Sequence, residues 1–291
     1  MLLRIIEILF PMFVIIALGY GVGRTLQPDL SHANKLNMDV FVPALVFAAL
    51  ANKALDISAY LPLVLAGTLA VVGSGVLAWT VARGTGISVK TLVPPVMFNN
   101  CGNLGLPLVV LAFGEQALAP MVVLFMVSNL LHYSFGVWLF DRRVRWFTVW
   151  KVPTVVAAFL GLLVSITQFE VWPPLLTSIR MLGEVSIPLM LFGLGVRIAS
   201  ARIESIGFGL FGAVLRPAIG MALAWLILQL VTLPRTEQAL LLVFGALPPA
   251  VLNFMFAERY HQEPEKVASM VLIGNLASVL FLSFALALVL N

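Results

Sequence analysis

The chain has 291 residues, of which 61% are hydrophobic and only 10% are charged. Because a soluble domain usually carries roughly 25% charged residues, this composition indicates an integral membrane protein. The net charge of +4 does not require a nucleic-acid partner, since basic loops that orient membrane helices account for it. The single cysteine, Cys101, excludes an internal disulfide and any metal site built from several cysteines.

Ten apolar segments follow one another, and each approaches the roughly 20 residues that a membrane-spanning helix needs. The first is interpreted as a span and not as a signal peptide, because it contains Pro11 and lacks a clear small-residue cleavage site. The connections between the segments are too short to hold a soluble domain. The predicted spans cover residues 5–23, 34–51, 58–82, 90–113, 117–140, 152–169, 174–198, 205–231, 236–258 and 265–290.

Lysine and arginine are distributed unevenly over the two sets of alternating loops. Twelve lie in the loops that follow spans one, three, five, seven and nine, whereas Arg4, Lys53 and Arg235 lie on the other side. Because basic loops stay in the cytoplasm, this bias predicts a multi-pass protein of the plasma (inner) membrane with both termini on the outer face.

Span four contains a stretch that is unsuited to a lipid-facing helix. From Asn99 to Pro107 it holds three asparagines, two glycines and a proline. Unpaired backbone groups cost several kcal/mol in hydrocarbon, so such backbone is tolerated only where protein buries it or water reaches it. The stretch predicts a broken helix that lines a binding site near the bilayer midplane. The alternative is a tolerated kink whose polar groups join neighbouring helices.

The two halves of the chain share short motifs at an offset of 145 or 146 residues. Span nine is also interrupted, by Leu247–Pro249 and Asn253, where span four predicts an interruption. Five spans per half is an odd number, so we expect residues 1–145 and 146–291 to form inverted five-helix repeats. The matching motifs are Asp39–Pro43 with Glu184–Pro188 and Val127–Leu130 with Ile273–Leu276.

Span nine and its exit, Ala246–Tyr260, together with Asn100 and Gly105–Pro107, resemble the auxin efflux carrier family over essentially the whole chain. That family includes the plant PIN-formed auxin exporters and bacterial malonate and malate permeases. The resemblance implies an all-α membrane fold of ten helices in two inverted repeats with crossed, broken helices four and nine. This is a bile-acid-symporter-like and NhaA-like elevator fold. It also implies a dimerising scaffold of helices 1, 2, 6 and 7 and a mobile transport domain of helices 3–5 and 8–10.

The candidate site residues lie around the two interruptions and at charged positions inside spans. Amide donors suit a carboxylate, while Arg216 in span eight either balances an anionic substrate or binds carbonyls of the crossing. Asp39 and Glu184 are candidate proton carriers, although a helix start and the nearby Arg180 could each explain one of them. Substrate-binding candidates are Asn99, Asn100, Asn103, Gly105, Pro107, Pro248, Pro249, Asn253 and Arg216, and coupling or supporting candidates are Asp39, Glu184, Asn129 and Asn275.

These features together favour a secondary active transporter that moves a small organic anion, such as a carboxylate, by elevator-type alternating access. The sequence has no Walker A motif, so ATP is not the direct energy source. We expect no cofactor beyond a proton or sodium coupling ion, no bound metal, and a homodimer in the bilayer. A sodium-coupled symporter of related ten-helix fold is the first alternative. An intramembrane enzyme or sensor is the second, although no nucleophile set or H-E-x-x-H motif supports it.

Overall fold

A computed structural model of the chain describes residues 1–51, 57–142 and 146–290. Three of the charges behind the predicted orientation, Lys53, Arg143 and Arg145, lie outside the described residues. So does the predicted boundary between the two halves at residue 145.

Nearly all of the described residues are helical, and among them the one strand-like pairing is an isolated bridge between Asn99 and Pro249. The helices are α1 (Leu2–Thr25), α2 (Ser31–Leu50), α3 (Leu61–Thr85), α4 (Val89–Met97), α5 (Cys101–Phe113), α6 (Glu115–Phe140), α7 (Pro153–Thr167), α8 (Pro173–Ser200), α9 (Ile206–Leu228), α10 (Arg235–Ala246), α11 (Leu252–Arg259) and α12 (Pro264–Val289).

Within the described ranges, seven helices are long and apolar enough to cross a membrane, namely α1, α2, α3, α6, α8, α9 and α12. Spans four and nine are each divided into two helices, α4 with α5 and α10 with α11, and span six is the 15-residue helix α7. Large apolar side chains such as Phe10, Trp79 and Trp225 are exposed on the outside of the bundle, as a lipid-facing surface requires. The all-α membrane fold is confirmed, while the ten-span count and the inversion of the halves stay predictions.

The helices pack in two groups. In one, α1 lies along α8, and α2 packs against both α7 and α8. In the other, α9 packs against α3, α10 and α12, and α6 packs against α3. Glycines permit the close approach of α1 and α8, since a side chain on Gly19 or Gly195 would overlap the backbone of the opposite helix. The two groups meet where α2 and α8 contact α6 and α5.

The interruption of span four is shorter and lies earlier than the sequence predicts. Only Phe98–Asn100 are non-helical, and Gly105 and Pro107 lie inside α5. The expectation that Pro107 breaks the helix is therefore wrong. A π-helical turn with i→i+5 hydrogen bonds, Cys101–Gly105, precedes Pro107. Pro107 then occupies the first turn of the regular α-helix that follows, where a missing N–H costs little.

The interruption of span nine matches its prediction more closely. α10 ends at Ala246 and α11 begins at Leu252, so Pro248 and Pro249 are both non-helical. Asn253 lies in the first turn of α11. Proline has no N–H to donate and disfavours helix in the residue before it, so two consecutive prolines end α10 decisively.

Candidate functional site

Two backbone hydrogen bonds join the interruptions of spans four and nine, and we call Phe98–Asn100 with Leu247–Val251 the crossing. The N–H of Asn100 donates to the carbonyl of Pro248 at 2.8 Å, and the N–H of Ala250 donates to the carbonyl of Phe98 at 3.0 Å. The two segments are antiparallel and buried, so each supplies partners for backbone groups that the other leaves unpaired.

Asparagine side chains complete the hydrogen bonding at the ends of the broken helices. The Nδ2 of Asn99 donates to the carbonyl of Phe244, in the last turn of α10, at 2.7 Å. The Nδ2 of Asn253 donates to the carbonyls of Phe98 and Ala250, each at 3.0 Å. The last carbonyls of a helix have no partner within it, so the amide of Asn99 caps the end of α10. The amide of Asn253 adds a second donor to two carbonyls that already accept backbone hydrogen bonds.

A third amide pair ties the crossing to α12. The Nδ2 of Asn100 donates to the Oδ1 of Asn275 at 2.7 Å. The Nδ2 of Asn275 in turn donates to the carbonyl of Pro249 at 3.1 Å and to that of Val271 at 2.8 Å. Asn275 thus hydrogen-bonds an unwound segment, the supporting role expected from the sequence.

Arg216 lies against the end of α10. Its Nη1 donates to the carbonyl of Gly245 at 2.6 Å, and the residue is 2% exposed. A cation is favourable at a helix C-terminus, where unpaired carbonyls and the helix dipole are negative. The contact depends on Gly220 and Gly245, because a side chain on either would overlap the backbone of the other helix. Of the two roles left open by the sequence, the structure shows the bond to a carbonyl of the crossing region.

A cavity of about 360 Å³ lies beside the crossing. Its walls come from α2, α6 and α8 and from the first turns of α5 and α11. A first helical turn carries backbone N–H groups without intrahelical partners and the positive end of the helix dipole, and both favour an anion. The described residues that line the cavity include no carboxylate, and its polar lining consists of Asn34, Asn37, Asn99, Asn100, Asn103, Asn129, His132, Tyr133 and Arg197.

The predicted site residues divide between the cavity and the structure around it. Those that line the cavity are Asn99, Asn100, Asn103 and Asn129. Because Asn99 and Asn100 each donate to a protein acceptor, Asn103 and Asn129 are the amides most open to a ligand. Those absent from the lining are Gly105, Pro107, Pro248, Pro249, Asn253, Asn275 and Arg216.

Gly105 has a packing role of its own. A side chain there would overlap Met121 of α6 and Leu247 of the crossing. The glycine therefore lets α5 approach the interruption of span nine.

Asp39 and Glu184 lie away from the cavity. Both are exposed on the surface of the single chain, on α2 and α8. Neither lines the cavity, so the structure does not bring these carboxyl groups to the crossing.

Five polar residues of the cavity were not among the sequence candidates, namely Asn34, Asn37, His132, Tyr133 and Arg197. Asn34 and Asn37 lie three residues apart on α2, and this spacing places both on one helical face. That spacing inside an apolar span could have marked them. Arg197 was counted among the basic loop residues, although the predicted span 174–198 already includes it, and the structure places it in the last turn of α8. Its position near a span end favoured the interpretation as an orienting charge.

His132 and Cys101 have mainly packing surroundings. The ring of His132 stacks on Phe98 with centroids 4.0 Å apart and meets Phe256 edge-on at 5.3 Å. Cys101 is buried at the start of α5. Among the described residues, no group of three or more histidine, cysteine, aspartate or glutamate side chains is placed to hold a metal ion.

At the helix ends away from the crossing, Glu263 joins α4 to the start of α12. Its carboxylate accepts hydrogen bonds from Lys266 and from the Oγ1 of Thr91, the latter at 2.6 Å. Lys266 and Thr91 together lower the pKa of the Glu263 carboxyl.

Comparison with known proteins places the whole chain in one family. The family model described as "Membrane transport protein" matches residues 4–149 and 142–286. The chain belongs to this family. The resemblance to auxin efflux carrier permeases drawn from the sequence is thereby confirmed.

Two relatives carry related names. An uncharacterized transporter of Methanocaldococcus jannaschii is 22% identical over 64% of this chain and 64% of its own length. A protein of Rhizobium meliloti named "Putative malonate transporter" is 24% identical over 95% of this chain and 93% of its own. The family and these names point to an integral, multi-pass membrane transport protein and not to an enzyme.

Proposed function

We propose that the protein is a secondary active transporter that carries a small organic anion through the cavity beside the crossing. The observation that carries the proposal is the lining of that cavity. Two half-helix N-termini, one arginine and four side-chain amides without a hydrogen-bond partner among the described residues border the same space of about 360 Å³. The four amides are those of Asn34, Asn37, Asn103 and Asn129. Half-helix N-termini at the bilayer midplane bind anionic groups in transporters, and a space of this size suits a small ligand.

The packing supports an elevator-type mechanism. The cavity lies between the two helix groups, with α2 and α8 on one side and α5, α6 and α11 on the other. In the proposed arrangement α4 with α5, and α10 with α11, form single broken spans, which gives ten spans in two inverted halves. The group of α3–α6 and α9–α12 then slides against α1, α2, α7 and α8 and exposes the cavity to each side in turn.

The proposed orientation has both termini on the outer face of the plasma membrane. Asn34 in the first turn of α2 and Arg197 in the last turn of α8 line the cavity, so the cavity reaches the helix ends that carry basic loops. With those loops in the cytoplasm, this conformation faces inward.

The orientation is tested by labelling single cysteines in intact cells, with Cys101 replaced. A cysteine at Asp29 should resist an impermeant reagent, whereas one at Trp172, at the opposite helix ends, should react. Both positions are exposed, so accessibility alone does not separate them. The reverse labelling pattern would contradict the orientation.

We also propose that the scaffold group forms a homodimer in the bilayer. Asp39 and Glu184 are exposed on α2 and α8 of that group, and a charge facing lipid is costly. A second copy would cover these carboxyl groups. Native mass spectrometry from lipid nanodiscs should show two chains per particle, and a monomer there would contradict the dimer.

The substrate class is tested by thermal-shift and equilibrium binding assays on purified protein. Malonate is the first probe, because it appears in the name of the rhizobial relative. Malate, monocarboxylates and indole acids complete the panel, and malonamide serves as an uncharged control. We expect at least one carboxylate to stabilise the protein, with proton or sodium dependence identifying the coupling ion. Stabilisation by a cation, with no carboxylate binding, would overturn the proposed function.

A further inference from the structure

Arg216 and Arg197 have different surroundings. Arg216 donates to the carbonyl of Gly245 and does not line the cavity. Arg197 lines the cavity and is its one cationic side chain among the described residues. Arg216, which the sequence placed in the middle of a span, thus donates to a backbone carbonyl. Arg197, at a helix end, borders the cavity beside the crossing.

Within the part of the chain that the structure describes, Arg197 forms no ion pair with a carboxylate. No carboxylate oxygen of those residues lies within 4.0 Å of its guanidinium nitrogens. Three acidic residues, Glu204, Glu258 and Glu265, line a separate adjoining cavity of about 380 Å³ that Arg197 also borders. A partly buried cation needs a counter-charge, and the cavity beside the crossing has room for one.

The rest of the lining completes a carboxylate site around that cation. Guanidinium presents two parallel N–H groups that match the two oxygens of a carboxylate, and such pairs are stronger than neutral hydrogen bonds. The open amides of Asn103 and Asn129 add neutral donors on the opposite helices. Within the described ranges, the cavity beside the crossing therefore presents one charged hydrogen-bond donor, Arg197, and several neutral ones.

We propose that Arg197 is the residue that binds the carboxylate of the transported anion, an inference that rests on the proposed function. Its guanidinium forms the charged contact on α8, while the amides and first helical turns of α5, α6 and α11 hold the remainder of the ligand. Recognition then involves both helix groups at once, because α8 belongs to one and the amides to the other.

The test compares binding of the carboxylate that wild-type protein binds best, starting with malonate, to three variants of the full chain. Arg197→Gln removes the charge, and Arg197→Lys keeps it without the two-pronged geometry. Arg202→Gln is the matched control, because Arg202 follows α8 and lines only the adjoining cavity. We expect Arg197→Gln to weaken binding roughly 10- to 100-fold and Arg202→Gln to leave it unchanged. Arg197→Lys should lie between wild type and Arg197→Gln.

Melting temperatures without ligand and the salt dependence of binding complete the design. Unliganded Arg197→Gln should melt close to wild type, and wild-type affinity should fall more steeply with ionic strength than that of the Gln variant. If Arg197→Gln does not fold, the Lys variant and the wild-type salt dependence still decide the question. Three results would refute the role of Arg197 without refuting the proposed function. They are a folded Arg197→Gln variant that binds the carboxylate as tightly as wild type, an Arg197→Lys variant with unchanged affinity, and an equal loss of affinity in Arg202→Gln. Failure of wild type to bind any carboxylate would refute the proposed function itself.

Discussion

The crossing and the cavity beside it are built from the same residue types and differ in what those residues contact. At the crossing, the amides of Asn99, Asn253 and Asn275 donate to backbone carbonyls. At the cavity, the amides of Asn103 and Asn129 face open space. The first set holds the broken helices together, and the second is available to a ligand.

The comparison extends to the charged residues. Arg216 satisfies the end of α10, whereas Arg197 borders the cavity without a carboxylate partner in the described residues. The predicted position of an arginine along its span therefore does not indicate which atoms it contacts. The hydrogen-bond partner of each side chain separates support from binding, and each prediction below tests one side of that division.

The largest expected effect is at the contact between α9 and α10. Gly220→Val should prevent folding or lower the free energy of unfolding by at least about 3 kcal/mol, because the side chain overlaps the carbonyl of Gly245 and displaces Arg216. Gly207→Val in the first turn of the same helix is the control, since no atom lies within 4 Å of its added Cβ. Yield of monodisperse protein and melting temperature measure both. Equal behaviour of the two variants would show that the α9–α10 contact is not critical.

Arg216→Gln should have the next largest effect, again on stability. The shorter side chain leaves the carbonyl of Gly245 without its charged donor, and we expect a loss of about 2–3 kcal/mol. Arg216→Lys should restore part of the stability, because a cation remains near the end of α10. The measurement pairs a melting curve with carboxylate affinity. If an Arg216 variant kept normal stability and lost only carboxylate affinity, Arg216 would be a ligand-binding residue and not a support of the crossing.

Asn253→Ala and Asn103→Ala should give opposite results. Asn253 is fully buried and donates to two carbonyls, so its loss should cost about 1–3 kcal/mol of stability. Asn103 lines the cavity, so its replacement should change stability by less than about 0.5 kcal/mol. Its effect should instead be a carboxylate affinity weakened by about 1 kcal/mol, roughly fivefold. Equal effects of the two variants on stability and on carboxylate affinity would contradict the claim that Asn253 supports the structure and Asn103 binds the ligand.

The sequence predicts the two interruptions and their contact better than the residues of the cavity. Polar and proline-rich stretches inside apolar spans are strong local signals, and they locate Asn99–Asn100 and Pro248–Pro249 correctly. The role of Pro107 was wrong because tolerance of a proline depends on the π-helical turn before it, which has no sequence signature of its own.

Side-chain partners were harder to predict than backbone breaks. The partner of Arg216 depends on the approach of Gly220 to Gly245, two residues on different helices. Arg197 lies inside the predicted span 174–198, but its place in the cavity lining depends on which helices surround the end of α8. Both facts are properties of packing, so pattern and composition alone do not determine them.

The smallest expected effect concerns Glu263, a polar contact far from both the crossing and the cavity. Lys266 and Thr91 lower the pKa of its carboxyl, so the charged form is favoured in the folded protein. The resulting stability is present above the ordinary pKa of a glutamate, about 4.3, and is lost as the pH falls through the lowered folded-state value. Because the side chain is 38% exposed, solvent screens the contact and we expect less than about 1 kcal/mol.

Glu263→Gln should therefore melt slightly below wild type at pH 7, and the difference should disappear as the pH is lowered toward 3. Glu204→Gln, at an exposed position that follows α8, is the control and should track wild type at every pH. Melting curves of the three proteins across this range measure the effect. A loss at Glu263 as large as that at Arg216 would mean that an exposed ion pair holds the helix groups as firmly as the crossing does. If the difference in melting temperature between wild type and Glu263→Gln grew as the pH fell, protonation would strengthen the contact. That result would contradict the lowered pKa of Glu263.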